Sequence, residues 1–114
     1  AITDPMALIH PSVRPIEGEV VVGKHRVNAL YGTGLDVALR ANDIHDLVIF
    51  GYATSGVILS TARYGADLDY NLIVVEDCCA DSDVEVHDFL TQRIFPRQAE
   101  LVGSDEVIRA LEAI

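Results

Sequence analysis

The sequence predicts an α/β fold built on a parallel sheet, and three features carry that expectation. Residues 46–53 (DLVIFGYA) and 70–76 (YNLIVVE) are continuous apolar runs rather than alternating ones. Such runs suit strands buried on both faces, as in parallel sheets. Stretches with helical spacing of apolar residues separate the runs. The connections are short, so strand and helix alternate as β-α-β-α-β-α-β-α, with helices packed on the sheet faces.

The elements follow in order. Residues 1–18 hold Pro5, Pro11 and Pro15 without sustained periodicity and read as an irregular lead-in segment. Residues 19–22 are a short β-branched run, read as a strand. Gly32, Thr33 and Gly34 open a helix that ends near Asn42, with Leu35, Ala38 and Leu39 on one face. The strand at 46–53 follows. Ser55 and Gly56 start a helix to about Ala66, with Ile58, Leu59 and Ala62 inward. After the strand at 70–76, Ser82-Asp83-Val84-Glu85 matches a capping box, in which Ser and Glu each satisfy one free N–H. That helix reaches about Ile94 and stops at Pro96. Residues 99–102 form a short strand. Ser104 caps a last helix, with Val107, Ile108 and Leu111 inward.

At 114 residues the chain is a single domain. Half of its residues are hydrophobic and 23% are charged, enough apolar material for a core. The net charge of −10 argues against nucleic acid and anionic membranes as partners, because phosphate binding needs Lys and Arg. The two cysteines, Cys78 and Cys79, are adjacent and imply no disulfide framework. A reducing compartment fits them best, and with no apolar run of membrane-spanning length a cytoplasmic location is expected.

In a parallel sheet, ligands bind beyond the carboxyl ends of the strands. That rule points to residues 23–26, 51–57 and 77–82. The small residues of Gly51-Tyr52-Ala53-Thr54-Ser55-Gly56-Val57 allow close backbone approach, and N–H groups of a first helical turn attract an anion or a developing oxyanion. The same residues also serve a strand-to-helix turn on geometry alone. Lys24 is the only lysine among eight basic residues. It either steadies an anion in a partly dry pocket or is solvated, the common state of lysine. Cys78 and Cys79 are reactive thiols or small buried hydrophobes. His10, His25, His45 and His87 lack metal-ligand spacing. Asp67, Asp69, Asp77, Asp81 and Asp83 lack the alternation and central Gly of a calcium loop, so capping and solvation explain them.

The stretch GKHRVNALYGTGLDVALRANDIHDLVIFGYATSGVILSTARYGADLDYNLIVVEDCCADSDVEVHDFL, with FPRQAELV further on, resembles the isochorismatase-like (cysteine hydrolase) superfamily. Two motifs carry the resemblance. One is a Lys ahead of an apolar-G-T-x-L-D segment, matched by Lys24 and by Leu30 to Asp36. The other is G-x-A-T-x-x-C-V-x-x-T-A, matched by Gly51 to Ala62. The resemblance implies a three-layer α/β/α, Rossmann-like arrangement and hydrolysis of a small amide, carbamoyl or enol-ether substrate. It implies catalysis by an Asp, a Lys and a Cys. Lys24 matches the family lysine, and the nucleophile position falls on Val57. The oxyanion donors map to the backbone N–H groups of Ala53 and Val57, with Thr54, Ser55 and Gly56 in the same substrate-binding turn. A cis peptide is implied at Tyr52–Ala53.

Two departures accompany the resemblance. Val57 carries no nucleophile, which closes the usual covalent thioester route. The family Asp, on a first strand, has no counterpart in these 114 residues, nor has the metal-binding segment of nicotinamidases. No cofactor or metal is therefore expected. The domain is expected to be incomplete without an upstream segment of the same protein, because the first strand of this fold is central and its loss bares strand edges. Two functions compete: an isochorismatase-like hydrolase with an atypical site, and a degenerate member that acts as a small-molecule binder or assembly subunit. A mean hydropathy of +0.28 adds the expectation of a homo-oligomer.

Overall fold

A computed structural model describes residues 9–114 of the chain. Of the lead-in, residues 1–8, including Pro5, lie outside the described residues. The remainder is irregular apart from one 3-10 turn at Pro11–Val13, where His10 Nδ1 accepts from Ser12 N–H at 3.1 Å.

Three strands form the sheet: β1 (Asp46–Tyr52), β2 (Asn71–Ala80) and β3 (Ala99–Val102). They lie side by side in that order, all parallel. The helices are α1 (Leu35–Ala41), α2 (Leu59–Asp67), α3 (Val84–Phe89) and α4 (Ser104–Glu112). Helices flank both faces. On one face Leu47, Ile49, Leu72, Val74 and Leu101 meet Leu39, Ile58, Ala62, Leu90 and Phe95 in two adjoining core clusters. Val74 is completely buried at the centre. On the other face Val48, Ile73, Val102, Val107 and Leu111 line a cavity of about 280 Å³ beneath α4.

Four expectations from the sequence are corrected here. Residues 19–22 form no strand and are mostly exposed. β-branched residues favour extended backbone, but a strand needs a neighbour to take its N–H and C=O groups, and no described segment lies beside this one. β1 is not buried on both faces. Its burial alternates, with Phe50 61% and Val48 47% exposed, because among the described residues the helix on that face, α4, packs over β2. Ser82 does not cap α3. The cap is Asp83, whose carboxylate accepts from Glu85 N–H and Val86 N–H. Ser104 is likewise the first residue inside α4; Gly103 precedes it, with Glu106 Oε1 accepting from Gly103 N–H. The α3 helix also changes pitch, running on as a π-helical stretch at Leu90–Ile94 and a 3-10 turn at Phe95–Arg97 around Pro96.

The β1–β2 register shifts once. Ile49 lies opposite Val74, yet Gly51 lies opposite Cys79 and Tyr52 opposite Ala80. Extra residues of β2 therefore bow out of the ladder between these two sections.

A polar latch ties α1 to the start of β2. The Tyr70 hydroxyl donates to Asp36, and the Arg40 guanidinium stacks 4.0 Å from the centre of the Tyr70 ring. Arg40 also donates to the Leu68 carbonyl. Burial, together with the Asp36 hydrogen bond, raises the Tyr70 pKa.

Candidate functional site

β1 delivers the chain to the carboxyl edge of the sheet, and the next residues turn sharply. The Tyr52–Ala53 peptide bond is cis. Ala53 is extended, and Thr54–Ile58 then forms a single π-helical turn leading into α2. The Ala53 carbonyl accepts from both Gly56 N–H (3.1 Å) and Ile58 N–H (3.3 Å). Wide turns of this kind recur at functional sites. Thr54 is completely buried, and Val57 is half-buried with its side chain packed on the core around Ile58 and Val74.

The segment that carries Lys24 folds onto this turn. A Cβ placed on Gly56 would lie 3.9 Å from Val27 Cγ1. The next residue, Asn28, is buried and donates to the Ser60 carbonyl at 2.9 Å and to the Ser60 hydroxyl at 3.1 Å. Ala29 N–H donates to the Thr61 hydroxyl at 3.0 Å. Asn28 also accepts from Leu30 N–H and Tyr31 N–H, which folds the segment back on itself. The anchoring places Lys24 four residues from a fixed point on α2. Its ammonium donates to the Arg26 carbonyl at 2.9 Å and the Val27 carbonyl at 3.3 Å.

Two side chains following β2 grip the turn from the other side. Asp81 Oδ2 accepts from both Ser55 N–H (2.8 Å) and Ser55 Oγ (2.5 Å), while its Oδ1 accepts from Asp83 N–H (3.1 Å). The Ser55 hydroxyl bond is the largest cause of a carboxyl pKa lowered to about 2. The two N–H bonds and the nearby His87 act in the same direction. His87, on α3, places Nδ1 2.7 Å from the Thr54 hydroxyl. Asp81 and His87 also share a cavity of about 170 Å³ with Cys79, Ala80 and Val84. The hydroxyls of Thr54 and Ser55 and the N–H groups of Ser55 and Gly56 thus have partners within the chain.

Sequence reasoning put Asp81 inside a candidate segment, residues 77–82, but read its carboxylate as capping and solvation, and it passed over Asn28 and His87 as parts of this site. Their partners lie 26 to 33 positions away, which nothing local marks. Of the remaining candidates, Cys78 is exposed and Cys79 buried, and burial raises the Cys79 pKa. Asp77 repeats on β3's side what Asp81 does on β1's, accepting from Ser104 N–H (2.8 Å) and Ser104 Oγ (2.5 Å). Its pKa is lowered for the same reason. His45 pairs with Asp43 at 2.8 Å on the surface. Among the described residues, no helix is long and apolar enough to cross a membrane.

Comparison with known proteins places this geometry in a family. The isochorismatase domain model matches residues 3–106. An uncharacterized isochorismatase family protein of Escherichia coli O157:H7, YecD, is 32% identical over 103 residues, covering 90% of this chain and 55% of the relative. The maleamate amidohydrolase of Pseudomonas putida is 28% identical over 108 residues, covering 95% of this chain and 51% of the enzyme. The solved structure of an isochorismatase family protein from Burkholderia thailandensis superposes with a TM-score of 0.86 at 36% identity, over 90% of this chain and 54% of that one. The chain spans about half the length of these relatives.

Proposed function

Since the chain belongs to the isochorismatase family, we propose that it forms the Lys24-bearing part of a small-molecule hydrolase acting on an amide, carbamoyl or enol-ether bond. The observation that supports this most directly is the folding of the Lys24 segment onto the 53–57 turn, with Val27 packed toward Gly56 and Asn28 bound to Ser60. A parallel sheet collects its ligands at this edge. In this reading the Ala53 and Val57 N–H groups face the developing oxyanion, and Lys24 supplies positive charge beside it. Val57 stands where a cysteine hydrolase has its nucleophile, so water attacks directly or acid catalysis opens the bond, and no thioester forms. The similarity to maleamate amidohydrolase favours an amide among the candidate bonds.

The acidic partner of Lys24 is assigned to a segment outside these 114 residues. Among the described residues no strand pairs with the outer edge of β1, and this edge with the exposed Val48 and Phe50 supports a location for that segment beside the sheet. Exposed apolar side chains away from that edge, such as Phe89 and Ile108, support self-association into a homo-oligomer.

A second reading has its own support. The Val57 side chain packs on the core instead of standing free in a cleft. In this reading the protein binds a small molecule, or serves an assembly, without turnover.

The deciding experiment assays the whole protein against a panel of amides, carbamoyl compounds and isochorismate. Turnover that is lost in Lys24→Ala is the expected result. Saturable ligand binding without turnover in the parent protein would establish the second reading instead.

A further inference from the structure

The 53–57 turn is held at two consecutive residues by two side chains from one loop-and-helix segment, residues 81–87. Thr54 is completely buried, and its hydroxyl pairs with His87 Nδ1 at 2.7 Å. Ser55 gives both its N–H and its hydroxyl to Asp81. The two holders are themselves braced. Asp81 accepts from Asp83 N–H, and Asp83 in turn caps α3, on which His87 stands one turn further along. The Thr91 hydroxyl then ties back to the His87 carbonyl at 3.0 Å. Asp81 follows the last residue of β2, His87 stands on α3, and neither side chain belongs to the apolar core clusters.

A buried hydroxyl has few conformations open to it once paired, and an unpaired one there is costly. Fixing the Thr54 hydroxyl fixes χ1 of Thr54. Holding Ser55 N–H fixes the Thr54–Ser55 peptide plane. With Gly56 N–H and Ile58 N–H both bound to the Ala53 carbonyl, these constraints bracket the peptide groups on either side of Val57. We infer that His87 and Asp81 are positioning residues of the candidate site, acting through Thr54 and Ser55 to aim the backbone at position 57. The inference rests on the proposed reading of the 53–57 turn as the place where substrate reacts.

The geometry also says which atom of His87 matters. The contact is made by Nδ1, on the ring atom next to Cγ. Asn carries an amide atom at nearly the same distance from the backbone, so His87→Asn preserves the pair. Leu fills the space and cannot.

The test uses the whole protein with a thiol placed at position 57 by Val57→Cys, and iodoacetamide as the probe. Labelling is followed over pH at the peptide carrying position 57, which separates it from Cys78. A thiolate near aimed N–H groups and Lys24 has a depressed pKa and reacts at low pH. Adding His87→Leu is expected to move the labelling profile up by about one pH unit, roughly tenfold in rate below the midpoint. Adding His87→Asn is expected to restore the profile of the Val57→Cys protein. A merely structural role for His87 would lower the thermal midpoint without moving the profile. A fast-reacting thiol whose profile is unmoved by His87→Leu overturns the inference and leaves the reading of the turn intact. A thiol no faster than an exposed cysteine removes that reading instead. The positioning claim is then judged by amide hydrogen exchange in the protein without the thiol. Faster exchange confined to residues 54–58 in His87→Leu, by about tenfold or more, supports it. Exchange that is unchanged, or faster throughout, overturns it.

Discussion

One oxygen of the Asp81 carboxylate takes both the N–H and the hydroxyl of Ser55, joining the segment after β2 to the turn after β1. An ionised carboxylate in that position acts as a built-in anion at the start of a helix.

That pairing makes stability depend on pH with a definite sign. The Asp81 pKa is depressed in the folded chain to about 2, against an ordinary value near 3.8. A depressed carboxyl stabilises the fold above its unfolded pKa, and the contribution fades as pH falls toward the folded value. The gap in urea midpoint between the parent protein and Asp81→Ala is therefore expected to be full at pH 6 and to shrink between about pH 4 and pH 2. A gap that persists undiminished at pH 2 would assign the effect to something other than the carboxylate.

The two cysteines are expected to behave as opposites. Cys78 is exposed, whereas Cys79 is buried and its thiol is pushed up by desolvation. Under native conditions iodoacetamide should label Cys78 alone, with Cys79 reacting once denaturant opens the sheet. Peptide mass analysis reads this directly, and equal labelling of both would contradict the burial of Cys79.

Ile58 ends the π-helical turn and is 2% exposed in the core beneath Gly51. Ile58→Ala should destabilise the protein by about 2–5 kcal/mol, since the surrounding side chains cannot fully collapse into the void. Chemical denaturation measures it. A loss under about 1 kcal/mol would mean the region is looser than its burial indicates.

Phe50 tests the proposal that another segment of the whole protein covers the outer face of β1. A ring 61% exposed contributes little where nothing covers it, and a polar substitution there is close to neutral. In the whole protein Phe50→Ser is expected to lower the thermal midpoint by several degrees, as for a loss of about 1–2 kcal/mol in a domain this size. An unchanged midpoint would leave that face open to solvent.

Much of the fold was legible because it is local. Unbroken apolar runs located β1 and β2, and spacing placed Leu39, Ile58 and Ala62 toward the core. What failed depends on distant partners. Residues 19–22 have the composition of a strand, but pairing is decided by what lies alongside. Ser82 and Ser104 look like caps, yet Asp83 outcompetes the first, and Asp77 draws the second into the helix from 27 residues away. At the site, Lys24 and the 53–57 turn stood out through a motif. His87 did not, and Asp81 stood out only as part of the 77–82 segment, because a histidine within a helix and an aspartate before one carry no mark of which residues they will meet.

The shift of register in β2 has a further consequence. Carried on unbroken, the pairing of the lower half would set Glu76 opposite Gly51, on the side that faces the core. The shift spans an odd number of residues, so it reverses the phase of the alternation. Cys79 takes the inward place, Glu76 is exposed, and Asp77 and Asp81 are delivered to serines on opposite flanks of the same strand. β2 is thus a strand with two phases, one for building the core and one for dressing the carboxyl edge of the sheet. Removing a single residue between Val75 and Cys79 would put those phases out of step, exchanging apolar for acidic side chains along the rim with no change in composition elsewhere.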